Sequence, residues 1–421
     1  MAPFNASASQ AGSLDPDFAD AGIQTLKFPG YVKTQGMGLA VGPSGAVMVS
    51  ALLTSESGQT SYGLARLLAD GRVDPSFGED GYLSGQFANA RPSRGGPLAI
   101  QADGAILLCA AFQDTALRWR QVIARFLADG SPDLSFGEDQ NGYLIVPMRV
   151  PALEGSVSGR ILLARSRPGA AVHDRILYMV AEKGVGLLAR YDLAGRQDLE
   201  FSQGWVHIEV PGRAITLNRL LELETGRILL CGKADGVQVQ GLVLAYGNLG
   251  EVDTDFGLNG VLLLNVQYQG GTAGSHVRDL LVQSPSRLLA VGEVSVRVDS
   301  SNVQHALMVG LTPQGATDST FNGGAPVIAE AAGAFDLRHW LSGAVFREQA
   351  AQRIIAVGQT THAGRLLLSG GYLADGAVDP DFDAAGVAEL KWTPDDCCAQ
   401  DGRLLVIGST TDSAQIIRML T

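Results

Sequence analysis

The stretch GRVDPSFGEDG, which runs from Gly71 to Gly81, decides the fold because variants of it occur seven times along the chain. Each copy has the form G-x-x-D-x-x-F and is usually followed by another Gly a few residues later. The Asp and Phe residues of the copies are Asp15 and Phe18, Asp74 and Phe77, Asp133 and Phe136, Asp198 and Phe201, Asp253 and Phe256, Asp318 and Phe321, and Asp379 and Phe382. Successive Asp residues are separated by 59, 59, 65, 55, 65 and 61 residues, so the period is near sixty.

The residue types of this motif predict a tight loop held by an aromatic ring. Asp can accept hydrogen bonds from backbone N–H groups, and Gly can adopt positive φ. A Phe in an otherwise polar loop is best explained as a side chain buried between neighbouring units. A period of this length is typical of solenoids, propellers or arrays, in which each unit buries its apolar face against its neighbours.

The motif resembles that of the delta-60 repeat family, whose members carry DG-x-x-D-x-x-FG-x-x-G loops between short strands. The resemblance is closest at Leu68–Gly81 (LADGRVDPSFGEDG) and Leu127–Gly142 (LADGSPDLSFGEDQNG). It is looser at Leu193–Gly204 (LAGRQDLEFSQG), which lacks the first Asp, and at Gln314–Gly324 (QGATDSTFNGG). The resemblance extends over essentially the whole chain. It implies a β-propeller and implies no particular activity.

The sequence therefore predicts an all-β protein that forms one seven-bladed β-propeller domain over residues 1–421, with about four antiparallel strands in each blade. Residues 1–11 are predicted to be a flexible leader. The repeat units are predicted at approximately 12–70, 71–129, 130–194, 195–249, 250–314, 315–375 and 376–421.

The strand patterns of a repeat unit predict the order of strands within a blade. In the second unit, the predicted strands are Tyr82–Phe87, Pro97–Gln101, Ala105–Phe112 and Gln121–Leu127. The third and fourth strands of the units are apolar on both faces and are expected in the middle of a sheet, whereas the first strand alternates like a half-exposed edge strand. We therefore expect the order second, third, fourth, then the first strand of the next unit.

This strand order predicts that the two ends of the chain meet in one blade. The strand near Ile23–Phe28 would become the outer strand of the last blade, beside Ala414–Leu420, and would close the ring. In the alternative arrangement, each blade is continuous in sequence and the ring closes by face packing alone. Insertions at Arg165–Asp174 and Ala344–Gln352 mark the third and sixth units as irregular, and insertions of this kind lie in loops on a face, where binding sites often occur.

Charge and composition narrow the classes of partner. The formal net charge is −12 and the pI is near 5.0, which disfavours nucleic acid and anionic membranes as partners. The N-terminus has neither the basic nor the apolar region of a secretory signal, and no apolar run is long enough to span a membrane. The sequence predicts a cytoplasmic protein, with signal-independent export left open.

Two groups of residues are candidate chemical sites. Asp379, Asp381 and Asp383 alternate in the manner of calcium ligands, but the loop lacks a late bidentate Glu, so a structural Asp is favoured. Four arginines share one repeat position (Arg66, Arg125, Arg190 and Arg418), which is Ala245, Gly310 and Gly371 in other units. They form either a ring of cations for an anionic ligand or, as favoured, ion pairs with neighbouring loop Asp residues.

The remaining groups give no signature of a site. The six histidines (His173, His207, His276, His305, His339 and His362) are interpreted as non-equivalent, without metal spacing. Gly226–Ala234 only loosely resembles a phosphate loop and is interpreted as a strand. Cys109 and Cys231 are predicted core residues, and Cys397 and Cys398 are predicted to be reduced, with a vicinal disulfide as the alternative. The tryptophans (Trp119, Trp205, Trp340 and Trp392) do not repeat at one position.

Three hypotheses for function follow. The first is a non-enzymatic binding or scaffold propeller that presents one face to a protein partner, without catalytic residues, metal or cofactor. The second is a hydrolase or lyase with a polar site at the axial mouth. The third is a carbohydrate-binding propeller, which the irregular tryptophan positions weaken.

Overall fold

The structure is a computed structural model that describes residues 10–147, 159–165, 169–170, 173–182, 184–298, 301–329, 337–348, 351–360, 367–382 and 393–421. These residues form 28 β-strands in seven antiparallel sheets, with short 3-10 turns at Ser202–Gly204 and Asn322–Gly324 and no α-helix among the described residues. The prediction of an all-β, seven-bladed propeller with about four strands in each blade is confirmed.

The strands are numbered in chain order, and β1 (Ile23–Leu26) belongs to the last sheet. Blade 1 contains β2 (Lys33–Val41), β3 (Val47–Thr54), β4 (Thr60–Leu67) and β5 (Tyr82–Gly85), and blade 2 contains β6 (Ser93–Ile100), β7 (Ile106–Gln113), β8 (Trp119–Phe126) and β9 (Tyr143–Ile145). Blade 3 contains β10 (Arg160–Ala164), β11 (Arg175–Glu182), β12 (Val185–Asp192) and β13 (Trp205–Ile208), and blade 4 contains β14 (Ile215–Glu222), β15 (Ile228–Ala234), β16 (Gln240–Tyr246) and β17 (Val261–Leu264).

Blade 5 contains β18 (Val266–Tyr268), β19 (Gly271–Ser284), β20 (Arg287–Val298), β21 (Ser301–Leu311) and β22 (Val327–Ala329). Blade 6 contains β23 (Leu337–Glu348), β24 (Ala351–Thr360) and β25 (Leu367–Leu373). Blade 7 contains β26 (Thr393–Gln400), β27 (Arg403–Ser409), β28 (Ala414–Met419) and, as its outer strand, β1.

The order of strands in each blade follows from how many faces of a strand are apolar. In blade 1 the order from the centre outward is β2-β3-β4-β5, and the repeat loop that contains Asp74 connects β4 to β5. In the six blades whose outer strand is described, that strand comes from the next repeat unit, as the sequence predicts. The two-faced apolar strands lie in the middle of the sheets, and β7, for example, is buried along seven of its eight residues.

The seven sheets surround a common axis. The innermost strands β2, β6, β10, β14, β19, β23 and β26 contact one another in this order, and β26 contacts β2. Seven apolar clusters fill the spaces between successive sheets, and the one between blades 1 and 2, for example, joins Tyr62 and Leu64 to Leu108 and Val122. The core is thus divided into seven interfaces, because each sheet buries both faces against its neighbours.

The N-terminal segment completes blade 7. β1 pairs antiparallel with β28, in the register Ile23 to Ile417. The first repeat loop adds backbone hydrogen bonds to the same strand, from Asp15 N to Arg418 O at 2.8 Å and from Arg418 N to Gly22 O at 3.0 Å. Blade 7 is therefore built from both ends of the described chain, and is not continuous in sequence.

A bulge explains where one strand differs from its predicted bounds. The strand predicted at Pro97–Gln101 begins earlier, since β6 starts at Ser93. Its pairing with β7 shifts register between Gly95 and Leu98. Pro97 has no N–H to donate to the ladder, and a bulge at this position lets the strand continue past it.

The repeat Phe residues lie between neighbouring blades. Six of the rings are fully buried, and Phe382 is 9% exposed. The ring of Phe18 packs against Gly71 of the next loop, where an added Cβ would lie 2.6 Å from the ring and where φ is +86°. Next to the ring, Ala19 N donates a hydrogen bond to Asp70 O of that next loop at 2.7 Å. The first Gly of the motif is thus required by the Phe of the preceding unit.

We expect Phe136→Ala to lower the free energy of unfolding by about 3–5 kcal/mol, because the ring is fully buried and its removal leaves a cavity. Urea denaturation followed by tryptophan fluorescence measures this loss. Leu134→Ala is the matched control, since Leu134 belongs to the same loop but is 62% exposed. A loss below about 1 kcal/mol for Phe136→Ala would show that the ring does not hold the loop.

Candidate functional site

The repeat Asp residues use their two carboxylate oxygens for different contacts. In all seven loops Oδ1 accepts a hydrogen bond from the backbone N–H two residues later, as from Ser76 N to Asp74 at 3.0 Å. Oδ2 pairs with an arginine in every loop. The pairs are Asp15–Arg418, Asp74–Arg66, Asp133–Arg125, Asp198–Arg190, Asp253–Arg227, Asp318–Arg287 and Asp379–Arg353.

These contacts bear on the calcium candidate. Arg353 and the backbone N–H of Asp381 occupy the two carboxylate oxygens of Asp379. The side chain of Asp381 is exposed, and Asp383 lies outside the described residues. Within the described part of the chain, no group of three His, Cys, Asp or Glu side chains is arranged to hold a metal ion. The loop carboxylates act as caps and ion-pair partners.

The arginines link one loop to the next. Arg66 bonds Asp74 of its own loop through Nε at 2.7 Å and lies over the ring of Phe77 at 5.1 Å. Its Nη1 donates to the carbonyl of Ala128 in the following loop at 2.7 Å. This is the ion-pair arrangement that the sequence favours, and not a ring of free cations.

In three blades the strand equivalent to β4 has no arginine at this position and carries Ala245, Gly310 or Gly371 instead. The cation then comes from near the start of the preceding strand, the one equivalent to β3. These residues are Arg227, Arg287 and Arg353. An arginine on a neighbouring strand reaches the same carboxylate because the two strand ends lie side by side in the sheet.

Polar side chains from four blades meet on the axis. Arg219 of β14 lies 3.5 Å from Asp279 of β19 and 2.5 Å from Asp396 of β26. Ser342 of β23 donates a hydrogen bond to Asp279 and lies 3.3 Å from Arg219. Burial raises the pKa of Asp279, and the charge of Arg219 opposes that rise. Since β14 and β26 belong to blades 4 and 7, Arg219 reaches across the axis.

A cleft of about 870 Å3 lies beside the axis on the face opposite the repeat loops. It is lined by the start of β19, the ends of β15 and β20 and the start of β21, whereas the repeat loops follow the opposite ends of these strands. Of its lining residues, only Val239 and Val296 are aliphatic. The others carry amides, hydroxyls, charges or rings, or are glycines.

Glu293 of β20 is the centre of a buried charged cluster at this cleft. Arg278 donates to it from Nη2 at 3.0 Å and from Nε at 3.2 Å. The Nδ1 atoms of His276 and His339 lie 3.5 Å from its two carboxylate oxygens. Gln304 donates from Nε2 at 3.3 Å. Side chains of blades 5 and 6 therefore share one carboxylate.

These neighbours determine the charge states in the cluster. Burial alone would raise the pKa of Glu293, but the hydrogen bond from His276 and the charge of Arg278 outweigh burial and lower it to about 2. Burial lowers the pKa of His276, and Glu293 only partly opposes this. His276 Nε2 lies 2.6 Å from the amide nitrogen of Asn218, so these contacts assign a neutral ring that donates from Nδ1 and accepts at Nε2.

The two histidines occupy corresponding places in adjacent blades. In β19, pairing with β20 resumes after a bulge at Asp279, three residues after His276. In β23, pairing with β24 resumes after a bulge at Ser342, three residues after His339. The interpretation of all six histidines as non-equivalent is therefore wrong for this pair. The insertion at Ala344–Gln352 lengthens the hairpin after His339 and hides the equivalence in a comparison of spacings.

The walls of the cleft come from a lengthened blade 5. β19, β20 and β21 contain 14, 12 and 11 residues, and β18 pairs with the start of β19. This accounts for the 65-residue interval between Asp253 and Asp318, so the fifth unit is irregular in addition to the predicted third and sixth units. The described parts of the two predicted insertions lie on the opposite face, in the hairpins β10–β11 and β23–β24.

The other candidates from the sequence have structural roles or fall outside the described residues. Cys397 and Cys398 are free thiols that contact apolar clusters on different sides of β26, and burial raises the pKa of Cys397 to about 12. Cys109 and Cys231 are buried, and the segment that resembles a phosphate loop forms β15. His362 and Trp392 lie outside the described residues.

Comparisons with known proteins concern the fold. Residues 43–77 and 101–136 match the model of DUF5122, a β-propeller domain of unknown function. This match supports a β-propeller repeat family, and the finer delta-60 assignment stays a prediction. A search of curated proteins finds no match.

Solved structures with a similar fold have low sequence identity to this chain. A protein of unknown function from Dyadobacter fermentans is 10% identical with a TM-score of 0.45, covering 95% of this chain and 100% of its own. The β-propeller domain of the trilobed protease from Pyrococcus furiosus is 8% identical with a TM-score of 0.44 (92% and 95% covered). A glucose dehydrogenase is 11% identical with a TM-score of 0.44 (94% and 98% covered). In the described residues, no helix is both long enough and apolar enough to cross a membrane.

The buried cluster predicts an acid-dependent loss of stability. Because the pKa of Glu293 is lowered to about 2 in the folded state, its ionised form stabilises the fold above the unfolded pKa, and this contribution disappears as the pH falls from about 5 to about 2. We expect Glu293→Gln to lower the free energy of unfolding at pH 7 by about 3 kcal/mol and to flatten its pH dependence in that window.

Urea denaturation at a series of pH values from 2.5 to 7 measures both effects. Glu209→Gln, at an exposed position of the chain, is the control and should leave the curve unchanged. If Glu293→Gln kept the slope of the unmodified protein, the carboxylate would not be held ionised by this cluster.

Proposed function

We propose that the protein is a non-enzymatic binding propeller that holds a small polar molecule in the cleft between blades 4 and 5. The observation that carries this proposal is a recessed cleft lined by hydrogen-bonding side chains around one buried, ionised cluster. Its volume of about 870 Å3 falls within the range of small-molecule sites, roughly 300–1,000 Å3.

The cleft is preformed by contacts between the two blades. Gln238, in the β15–β16 loop of blade 4, donates from Nε2 to the carbonyl of Thr272 on β19 at 2.8 Å. Ser275 N donates to Val239 O, also in that loop, at 3.0 Å. A site whose walls are fixed before binding loses less conformational entropy when a ligand enters. This rigidity supports a binding function.

The pairing of the ionisable groups favours binding over catalysis. A hydrolase or lyase needs an acid or base that is available for proton transfer to the substrate. Both oxygens of Glu293 already contact Arg278 and the two histidines, and Asn218 occupies the Nε2 atom of His276. The cluster is therefore suited to orient groups around the cleft. The alternative of an enzyme at the axial mouth receives less support.

The first test uses Lys233, which lines the cleft and is only partly engaged by Asp235, at 3.1 Å. We expect thermal-shift screening of the full chain with a library of polar metabolites to find compounds that stabilise it, by about 2.7 kcal/mol at 100 times Kd. Lys233→Met should reduce the shift, because it removes a charge and hydrogen-bond donor from the lining.

Lys27→Met is the matched control, since Lys27 is an exposed lysine paired with Asp412 on the rim of blade 7. It should leave the ligand-induced shift unchanged. Equal shifts in the unmodified protein and Lys233→Met would place binding outside the cleft, and a library without any stabilising compound would count against the proposal.

A protein partner on the repeat-loop face is the second candidate function. It is favoured by apolar side chains that the loops expose, with exposed fractions of 62% for Leu134, 68% for Leu199, 79% for Leu258 and 72% for Val378. Apolar groups that recur around one face of a propeller form a surface of the kind used in protein–protein contacts.

Photo-crosslinking tests this second candidate. A photoreactive amino acid at Leu134 or Leu258 is expected to capture one defined protein in cells, and that protein should bind the purified chain. The control is the same amino acid at Val237, a fully exposed position in the β15–β16 loop on the cleft face. Equal capture from Val237 and from the repeat loops would argue against a partner on the loop face.

A further inference from the structure

We propose that the molecule bound in the cleft is a neutral carbohydrate. This inference rests on the proposed function and names the class of ligand. It follows from three features of the cleft: the mixture of donors and acceptors in its lining, its balanced charge, and an aromatic pair in one wall.

The lining offers both donors and acceptors at its surface. Gln238, Gln269 and Gln304 each carry a carbonyl and an NH2 group, and Thr216 and Ser295 carry hydroxyls. Side chains of these types can meet a ligand group that donates one hydrogen bond and accepts others. A sugar hydroxyl is such a group, whereas a phosphate or carboxylate needs donors alone. The amides and hydroxyls therefore favour a polyhydroxylated ligand.

The charges around the cleft are already paired. Arg278 is held by Glu293 at 3.0 Å, and Lys233 is held by Asp235 at 3.1 Å. An anionic ligand would have to compete with these carboxylates for each cation. The chain also carries a net charge of −12, which repels anions at long range. A neutral ligand can use the remaining donors of both cations without breaking either pair.

One wall of the cleft carries an aromatic ring. Tyr268 of β18 lines the cleft and packs against His305 of β21, with ring centroids 5.4 Å apart. This contact holds the tyrosine ring in place, and aromatic rings combine an apolar face with a polar edge. A pyranose has the matching property, because its C–H groups form an apolar face and its hydroxyls lie around the rim.

The hypothesis of a carbohydrate-binding propeller, drawn from the sequence, predicts an aromatic platform in every blade. The cleft instead combines a single aromatic pair with polar groups from two blades, because in the described part of the chain blade 5 alone has a fifth strand, β18, which pairs with the start of the 14-residue β19. The inference is thus one asymmetric sugar site, and not a set of repeated sites.

Isothermal titration of the full chain against four sets of compounds tests the class of ligand. The first set contains glucose, galactose, mannose, xylose and their disaccharides, the second the corresponding sugar phosphates and uronic acids, the third nucleotides and the fourth amino acids. We expect binding to a member of the first set. Tyr268→Leu and Gln269→Ala should each weaken it by about tenfold or more, as for loss of one good contact.

The controls separate this inference from the proposed function. Gln59→Ala changes an exposed glutamine of blade 1 and should leave the affinity unchanged, and thermal unfolding of each variant shows that it is folded. Binding of a phosphorylated, carboxylated or other non-sugar compound that Lys233→Met weakens would overturn the carbohydrate inference and leave the proposed function standing. Sugar binding that is insensitive to both cleft substitutions would overturn the inference, and absence of binding by all four sets would overturn both.

Discussion

The contact on which the propeller depends is the one that an arginine makes between two successive repeat loops. Its guanidinium bonds the Asp of its own loop, covers the Phe ring of that loop and donates to a carbonyl of the next. Arg418 extends the same pattern across the chain ends, from Asp15 at 2.9 Å to the carbonyl of Ala69 at 2.7 Å. Six of the seven arginines donate to the next loop in this way, which fixes their sheets to the following ones at the loop end, while apolar clusters fill the space between the sheets.

The fold could be predicted because its determinants repeat. Phe and Asp recur at one position in every unit, so they remain visible even where the rest of the unit varies. The order of strands could be derived from the number of apolar faces, since a strand that is buried on both faces cannot lie at an edge. The arginines on β4, β8, β12 and β28 were visible for the same reason, but Arg227, Arg287 and Arg353 were not. They reach the same carboxylate from a different strand.

The candidate site could not be predicted because its determinants do not repeat. Arg219 and Asp396 meet across the axis although they lie in blades 4 and 7. His276 and His339 are equivalent only when residues are matched through strand pairing. Bulges and a lengthened hairpin change the number of residues between paired positions, so the equivalence is not visible from spacing in the sequence. Glu293 follows a glycine in an apolar strand, and its role depends on neighbours from other strands. Interactions of this kind follow from three-dimensional closure, which a linear period does not encode.

The pairing of β1 with β28 also sets the order in which the molecule can be assembled on the ribosome. Among the described strands, β1 is translated first and its partner β28 is translated last. At bacterial and eukaryotic elongation rates, on the order of 5–20 residues per second, the nascent chain carries this strand unpaired for tens of seconds. Because β1 has only four residues, it exposes few unpaired backbone groups to other chains before β28 is available. The ring can close only after β28 has been translated.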